Sequence, residues 1–292
     1  MKNTSILICV LLFLLSAARL SAQMTVEVLT DQNQFLAGEA MPVTVRITNR
    51  SGQTLVLGRG EGWLKFVIQA RDGFVPFQNG EPPVAGEFTL QSSERANVRV
   101  NLAPYFRLPK AGHYNIIATV TIPEWKRQIS SDPKGFDIIS GAKLWEQDFG
   151  VPKAPGDTNA APEMRHYALQ EANYLRSHLE LYAQVTDDIG KINKVIPIGP
   201  MVSFGQPEAK VDKVSDLHVL YQNGPRTFSY TVINPNGEIV LRQTYEYTTR
   251  PQILPDNNGN LTVVGGQRRF TREDFPPPKS SAVNDTSAPP KP

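Results

Sequence analysis

Four histidines are the first residues of this sequence that could support metal or acid–base chemistry. The histidines His113, His166, His178 and His218 form no close ligand pair along the chain. A metal site would require the segment holding His166 and His178 to fold back on itself, and ordinary surface or half-buried histidines are the better interpretation. His218 lies in an alternating strand and is expected to point to one face of a sheet. We predict no metal ligands and no cofactor.

Two pairs of aspartates could act as acid and base in glycoside hydrolysis, namely Asp187 with Asp188 and Asp212 with Asp216. Acid pairs of this kind lie in turn-like segments, where carboxylates are usually solvated. Hydrolysis at such a pair is therefore the alternative interpretation, and we predict no catalytic residues.

Two further motifs resemble functional sites less closely. Asp256 begins an Asp-Asn-Asn-Gly-Asn run with oxygen donors at alternate positions, as in a calcium loop. Leu261 stands where such a loop needs glycine, so a hairpin turn explains the run better. Ser131 and Lys134 have the spacing of a lysine-activated serine, but Pro133 prevents the helical turn that would join them. The sequence also has no G-x-S-x-G, P-loop, dinucleotide-binding or H-E-x-x-H motif.

Aromatic side chains are the remaining candidates for ligand binding, because their rings can stack on sugars or peptides. Trp125 is expected to be the most exposed of them, since it lies beside Pro123-Glu124 and Lys126-Arg127. We predict ligand contacts from Trp125, Tyr221 and Tyr245. Filling of a hydrophobic core is the alternative role for each of these rings.

The first 22 residues have the layout of a secretory signal peptide. Lys2 precedes an unbroken apolar run from Ile6 to Leu15, and small residues ending in Ser21-Ala22 follow. Arg19 interrupts the apolar stretch too early for an uncleaved anchor, which needs about 18 apolar residues. We predict cleavage after Ala22, export to the periplasm or the cell exterior, and no transmembrane segment in the mature chain.

Charge and cysteine usage narrow the class of protein further. The sequence has 30 Lys and Arg against 28 Asp and Glu, and Lys2 and Arg19 lie in the predicted signal peptide, so the mature chain carries no net charge. A nucleic-acid partner usually requires a basic surplus, so we expect none. The only cysteine, Cys9, also lies in the signal peptide, which excludes disulfides and cysteine chemistry in the mature chain. An exported chain held together by its cores alone suits a bacterial cell envelope.

Alternation of apolar and polar residues is the main structural pattern of the first half. In Pro42 to Thr48 it places Val43, Val45 and Ile47 on one face of a strand. Asp72-Gly73 predicts a hairpin turn, with residues 74–77 as a returning edge strand. Several short strands, frequent turns and no helical period predict an antiparallel β-sandwich at 24–140.

Two stretches of this half carry a distinctive order of residues. They are Gly38, Glu39, Val43, Val45, Ile47, Thr48, Asn49, Ser51 and Gly52, followed by Leu108, Pro109, Ala111, Gly112, Tyr114, Ile116 and Ala118. In this order the half resembles the immunoglobulin-like domains of bacterial exported proteins. The resemblance implies an Ig-like fold with a role as a spacer or binding module.

The second half is predicted to be a separate all-β domain at 163–275. Pro, Gly and small polar residues at 150–162 predict a linker, which we place at 141–162. Residues 163–178 fit neither a helical nor a strand period, and we favour a strand. Beyond Leu181, strands recur with polar turns that end in glycine. The Pro- and Ser-rich segment 276–292 is predicted to be disordered.

Three stretches of this second domain form the predicted hairpins, namely Leu217 to Tyr221, Phe228 to Ile239 and Pro251 to Gly266. They show a resemblance to β-propeller blades of the sialidase or quinoprotein kind. It covers about two blades, whereas a closed ring needs at least four. The blade-like sheets should therefore pack on each other or on the first domain, unless several chains complete a ring. The aspartate-box signature of sialidases is absent, so no glycosidase residues are inferred.

These patterns predict an exported, non-enzymatic binding or scaffold protein of the bacterial cell envelope. Its partner is expected to be another envelope protein or a glycan. The alternative is a carbohydrate-active or other hydrolytic enzyme with a carboxylate site in the second domain.

Overall fold

The computed structural model describes residues 24–84, 86–151, 163–175, 177–188 and 193–276. The predicted signal peptide lies outside the described residues, as do residues 152–162 and 277–292. The chain divides into two units between Ser140 and Gly141. The described part is built mainly of antiparallel sheets, which confirms the predicted all-β class. No helix within it is long and apolar enough to cross a lipid bilayer.

The described residues of the first unit form two larger sheets and one two-stranded sheet. The strands are β1 (Met24–Thr30), β2 (Gln34–Leu36), β3 (Pro42–Asn49), β4 (Leu55–Leu57), β5 (Leu64–Ala70), β6 (Phe88–Leu90), β7 (Arg95–Asn101), β8 (Gly112–Ile122), β9 (Arg127–Ser130) and β10 (Lys134–Ile139). One sheet has the order β1-β3-β7, and the other has the order β2-β10-β8-β5, with β9 added beside β8. β4 pairs with β6. The parallel pairing of β2 with β10 joins the two ends of the unit.

One hydrophobic core receives side chains from both larger sheets of the first unit. Val43, Val45 and Ile47 of β3 are fully buried in it, which confirms the predicted apolar face of this strand. From the other sheet, Ile116 and Ala118 of β8 are buried in the same core. Two sheets that bury their inner faces against each other are consistent with a β-sandwich.

The segment after the Asp72-Gly73 turn differs from the sequence-based prediction. The turn itself is present, because the Asp72 carboxylate accepts a hydrogen bond from the Phe74 N–H at 3.0 Å. Residues 74–77 form no strand, however, and the Phe77 carbonyl accepts from the Arg107 N–H at 3.1 Å. Pro76 has no N–H to donate, so a regular ladder beside β5 would lack a bond there.

The described residues of the second unit form two larger sheets and a separate hairpin. The strands are β11 (Ala142–Val151), β12 (Glu163–Tyr174), β13 (His178–Asp187), β14 (Asn193–Met201), β15 (Glu208–Val211), β16 (Leu217–Gln222), β17 (Thr227–Ile233), β18 (Ile239–Glu246), β19 (Gln252–Pro255), β20 (Leu261–Val264) and β21 (Gln267–Arg269). The first sheet has the order β11-β12-β13-β14, and the second has the order β15-β16-β17-β18-β21. The hairpin consists of β19 and β20.

The two larger sheets of the second unit pack on each other. Leu169 and Ala183 of the four-stranded sheet share a core with Leu217 and Val219 of the five-stranded sheet. Tyr167 of β12 is also buried there, and its hydroxyl lies 3.1 Å from the carbonyl oxygen of Ser215. The opposite face of the five-stranded sheet carries a smaller core, formed by Leu220, Tyr230, Val232 and Ile253 with partly buried neighbours.

Strand β11 corrects the predicted linker at 141–162. Ala142–Val151 belongs to the four-stranded sheet and pairs with β12 along its length. The cause is burial of an aromatic side chain, because the Phe149 ring stacks on Tyr167 with centroids 4.1 Å apart. The strand preferred for residues 163–178 is confirmed over Glu163–Tyr174.

Candidate functional site

A groove of about 740 Å³ lies at one end of the five-stranded sheet of the second unit. Four chain segments meet there: the approach to β15, the end of β16, the turn into β17 and the segment after β18. The lining residues are Phe204, Gly205, Gln206, Glu208, Leu220, Tyr221, Gln222, Pro225, Arg226, Phe228, Tyr247, Thr248, Arg250 and Pro251. We call this feature the groove.

The turn between β16 and β17 shapes one wall of the groove. The Asn223 N–H donates to the Thr227 carbonyl at 3.0 Å, which closes the turn. The Gln222 side-chain amide donates to the Gly224 carbonyl at 2.9 Å and to the Pro225 carbonyl at 3.2 Å. These local bonds hold the turn in a conformation that places Arg226 at its tip.

Aromatic rings supply the flat surfaces of the groove. Phe204 is 79% exposed, so most of its ring is open to solvent. Phe228 and Tyr247 stack with their ring centroids 6.5 Å apart and an interplanar angle of 27°. Tyr247 is also exposed. A ligand that enters the groove therefore meets both apolar faces and polar edges.

The charges that line the groove are predominantly positive. The Arg226 guanidinium donates to the Tyr247 carbonyl at 3.1 Å, and the Tyr247 N–H donates back to the Arg226 carbonyl at 2.7 Å. Arg226 and Arg250 have no carboxylate partner among the described residues. Glu208 is compensated, since its carboxylate lies 3.0 Å from Lys210 Nζ and accepts from the Ile253 N–H at 3.1 Å.

The three aromatic residues predicted to bind ligand do not form one surface. Tyr221 lines the groove but is buried, its hydroxyl donates to the Ile198 carbonyl at 2.5 Å, and burial raises its pKa to about 12. Tyr245 lies on the opposite face of the same sheet and donates to Gln243 at 2.9 Å. Trp125, in the first unit, is half-buried against that unit's core. Trp125 is therefore less exposed than the sequence predicts.

The Asp212 and Asp216 pair lies beside His218 in the second unit. Asp212 Oδ2 is 3.2 Å from His218 Nε2, and the other ring nitrogen of His218 is 2.5 Å from the Tyr230 hydroxyl. Burial raises the pKa of Asp216, and repulsion from Asp212 raises it further, while His218 opposes both. The second oxygen of Asp212 accepts the Val214 and Asp216 N–H groups at 2.9 Å, which is the geometry of a structural turn.

The other predicted sites have structural roles or remain separate. His166 and His178 lie at opposite ends of the β12–β13 hairpin, since their strand partners are Thr186 and Tyr174. Within the described residues, no cluster of three or more His, Cys, Asp or Glu side chains could hold a metal ion. Asp256 accepts the Asn258 and Asn260 N–H groups at 2.8 Å in the turn of the β19–β20 hairpin, as the hairpin interpretation predicted.

Sequence reasoning missed Phe204, Arg226, Tyr247 and Arg250. Each of them lies in a connection rather than a strand, where no periodic pattern draws attention to it. The available signal was weak: Arg226 and Arg250 are basic residues beside prolines, at the two ends of a strand pair. Only the pairing of β17 with β18 brings the two connections together.

Comparisons with known proteins leave the family of this chain open. No family model matches it, and no curated protein matches it. Among solved structures it is similar to the sporulation control protein Spo0M from Bacillus subtilis, with 10% sequence identity over 69% of this chain and 79% of that chain. The TM-score is 0.26, which is too low to carry an argument about fold or function.

Proposed function

We propose that this chain is an exported, non-enzymatic binding or scaffold protein of the bacterial cell envelope that holds its ligand in the groove. The observation that carries the proposal is the combination of an exposed ring, Phe204, with two arginines that lack carboxylate partners within the described residues. Aromatic faces and guanidinium groups are the side chains that most often anchor ligands and partners. The partner is a glycan or another envelope protein.

The signal-peptide pattern of residues 1–22 supports export to the periplasm or the cell exterior. The resemblance of residues 38–118 to immunoglobulin-like domains supports a spacer or binding role for the first unit, with domain bounds of 24–140. The blade-like hairpins support a second binding domain. A ring of several copies is a further arrangement that a mass measurement in solution would detect.

The test is an affinity capture with residues 23–292, the chain expected after signal cleavage. The tagged chain is mixed with envelope extract and, separately, with insoluble glycans. We expect capture of one of these, reduced by Phe204→Ala. The matched control is Phe270→Ala, because Phe270 is 76% exposed in the same unit but does not line the groove. If the two variants captured the ligand equally well, the groove would not be the ligand-binding site.

Hydrolysis is the second candidate function, and the raised pKa of Asp216 beside Asp212 favours it. A carboxyl group that holds its proton at higher pH is suited to act as a general acid. Asp212 already accepts hydrogen bonds from two backbone N–H groups, which argues against its acting as the free catalytic partner of Asp216. Release of reducing sugar from a glycan, abolished by Asp216→Asn, would establish this function instead.

A further inference from the structure

We infer that the groove binds a carboxylated glycan, with Arg226 and Arg250 contacting the carboxylates and the rings of Phe204 and Tyr247 contacting the sugar faces. This inference rests on the proposed binding function and specifies its ligand class. It draws on the position of the groove, its charge and the chemistry of its lining.

The charge of the groove favours an anionic ligand. Arg226 uses one N–H of its guanidinium on the Tyr247 carbonyl, which leaves donors for a second group. Arg250 is exposed and has no hydrogen bond or ion pair within the described part of the chain. Glu208, the carboxylate in the lining, is neutralised by Lys210 and also accepts a hydrogen bond from the Ile253 N–H. Nearby Glu246 is paired with Arg269 at 3.2 Å and does not line the groove.

A carboxylate group fits the guanidinium donors of the two arginines better than an anion whose charge is spread over many atoms. A guanidinium presents parallel N–H groups that match both oxygens of a carboxylate. The bond from the Arg226 guanidinium to the Tyr247 carbonyl, and the bond from the Tyr247 N–H to the Arg226 carbonyl, hold the first arginine in place before the ligand arrives. Such preorganisation lowers the entropy lost on binding.

The position of the groove favours a sugar chain over an extended peptide. Peptides that bind by strand addition need an unpaired sheet edge. The groove lies at the end of the strands instead. The adjoining strand β16 is paired on both sides, with β15 and β17, and β15, an edge strand, reaches the lining only with its first residue, Glu208. No backbone ladder is therefore offered at β16.

The lining also suits the alternating chemistry of a sugar ring. One face of a pyranose is largely C–H and packs against aromatic rings such as Phe204 and Tyr247. Its hydroxyls need donors and acceptors, which the Gln206 amide and the amide oxygen of Gln222 provide. The volume of about 740 Å³ lies within the range of about 300–1,000 Å³ typical of ligand sites. It is large enough for several linked sugar rings.

The test uses residues 23–292 and a panel of carboxylated glycans: polygalacturonate, alginate and hyaluronan. Fully methyl-esterified polygalacturonate and poly-glutamate serve as comparison ligands, and binding is measured by calorimetry at low and high salt. We expect binding to at least one carboxylated glycan, with loss on esterification of its carboxylates and weakening by salt. Arg226→Gln and Arg250→Gln should each weaken it about ten-fold or more.

Two controls separate specific contacts from general charge. Arg272→Gln removes the same charge from an exposed position of the second unit outside the groove, and we expect it to change binding less than about two-fold. Arg226→Lys keeps the charge but loses the paired donors, and we expect it to restore binding only in part.

Three outcomes would overturn the inference. Equal affinity for the acid and the methyl ester, or for poly-glutamate, would show that the carboxylates or the sugar are not what is recognised. Failure to bind any carboxylated glycan of the panel would remove this ligand class. After failure to bind the panel, capture of a neutral glycan or a protein that is sensitive to Phe204→Ala would leave the proposed function standing, whereas no capture at all would remove both.

Discussion

Asn49 offers a sharp test of how the first unit is held together. This residue ends β3 and is completely buried, and its side-chain amide acts both as a hydrogen-bond donor and as an acceptor. Its Nδ2 donates to the Gln53 carbonyl at 2.8 Å and to the Leu90 carbonyl at 2.9 Å, while its Oδ1 accepts the Ser51 N–H at 3.0 Å. The side chain therefore ties the turn after β3 to the end of β6.

The cost of Asn49→Ala follows from these bonds. The variant leaves the buried Leu90 carbonyl without its donor, which costs about 1–3 kcal/mol, and the bond to the Gln53 carbonyl adds about 1 kcal/mol. The Ser51 groups are near solvent and can turn to water. We expect a loss of about 3 kcal/mol in the free energy of unfolding of the first unit. Asn49→Asp should lose more, because its carboxylate would face two carbonyl oxygens.

The assay is denaturant unfolding of residues 23–292 followed by tryptophan fluorescence. Trp63 and Trp125 lie in the first unit and Trp145 in the second, so a Trp145→Phe background reports on the first unit. Ser92→Ala is the matched control: its hydroxyl accepts the Gly52 N–H at 3.1 Å in the same turn region, but the bond is exposed, so the loss should stay below about 0.5 kcal/mol. An Asn49→Ala loss no larger than that of the control would refute the reasoning.

Three further predictions concern the second unit. Gly199→Ala should lower its melting temperature, since a Cβ there would lie 2.6 Å from the Tyr221 hydroxyl and the φ of +137° disfavours other residues. Asp216→Asn should raise stability at pH 7, because burial and Asp212 raise the pKa of the native carboxyl, and the charged form is therefore disfavoured in the folded state. This gain should shrink as the pH falls through the native pKa, and vanish below about pH 4, where the unfolded carboxyl is also protonated. Asp256→Ala should speed amide exchange in the β19–β20 hairpin, because two turn N–H groups lose their acceptor.

Each of these predictions has its own check. Gly199→Ala combined with Tyr221→Phe should recover part of the lost stability, because the clash is with the hydroxyl, and no recovery would contradict the steric argument. For Asp216→Asn, a gain that is independent of pH would point to a cause other than charge. Asp256→Asn keeps an acceptor oxygen and should exchange more slowly than the alanine variant. Equal rates would show that the carboxylate does not hold the turn.

The local features of the fold could be predicted because short-range chemistry determines them. The buried face of β3 follows from alternation along an extended chain, and the Asp256 turn follows from a side chain that bonds its own backbone two residues on. Both depend only on residues a few positions apart. The same reasoning placed the turn at Asp72-Gly73 correctly but failed for residues 74–77, where the Phe77 carbonyl bonds to the distant Arg107 N–H.

The candidate site could not be predicted because strand pairing decides which residues meet. In the observed register, Tyr221 lies opposite Ser229, and Ser229 lies opposite Thr244. The side chains of Tyr221 and Thr244 therefore share one face of the sheet. Tyr245 is the next residue along β18 and points to the other face. The sequence shows two tyrosines of similar type and does not show this offset.

The sequence by itself determined the all-β class, the polar turns and the buried face of β3, because each depends on the alternation or the bonding of neighbouring residues. Only the tertiary structure decided that residues 142–151 form a strand, where burial of Phe149 against Tyr167 outweighs a linker-like composition nearby. It also decided that four chain segments meet at the groove, which places Arg226 and Arg250 together. Their proximity arises from the order of strands in a sheet, and no short stretch of the chain encodes that order.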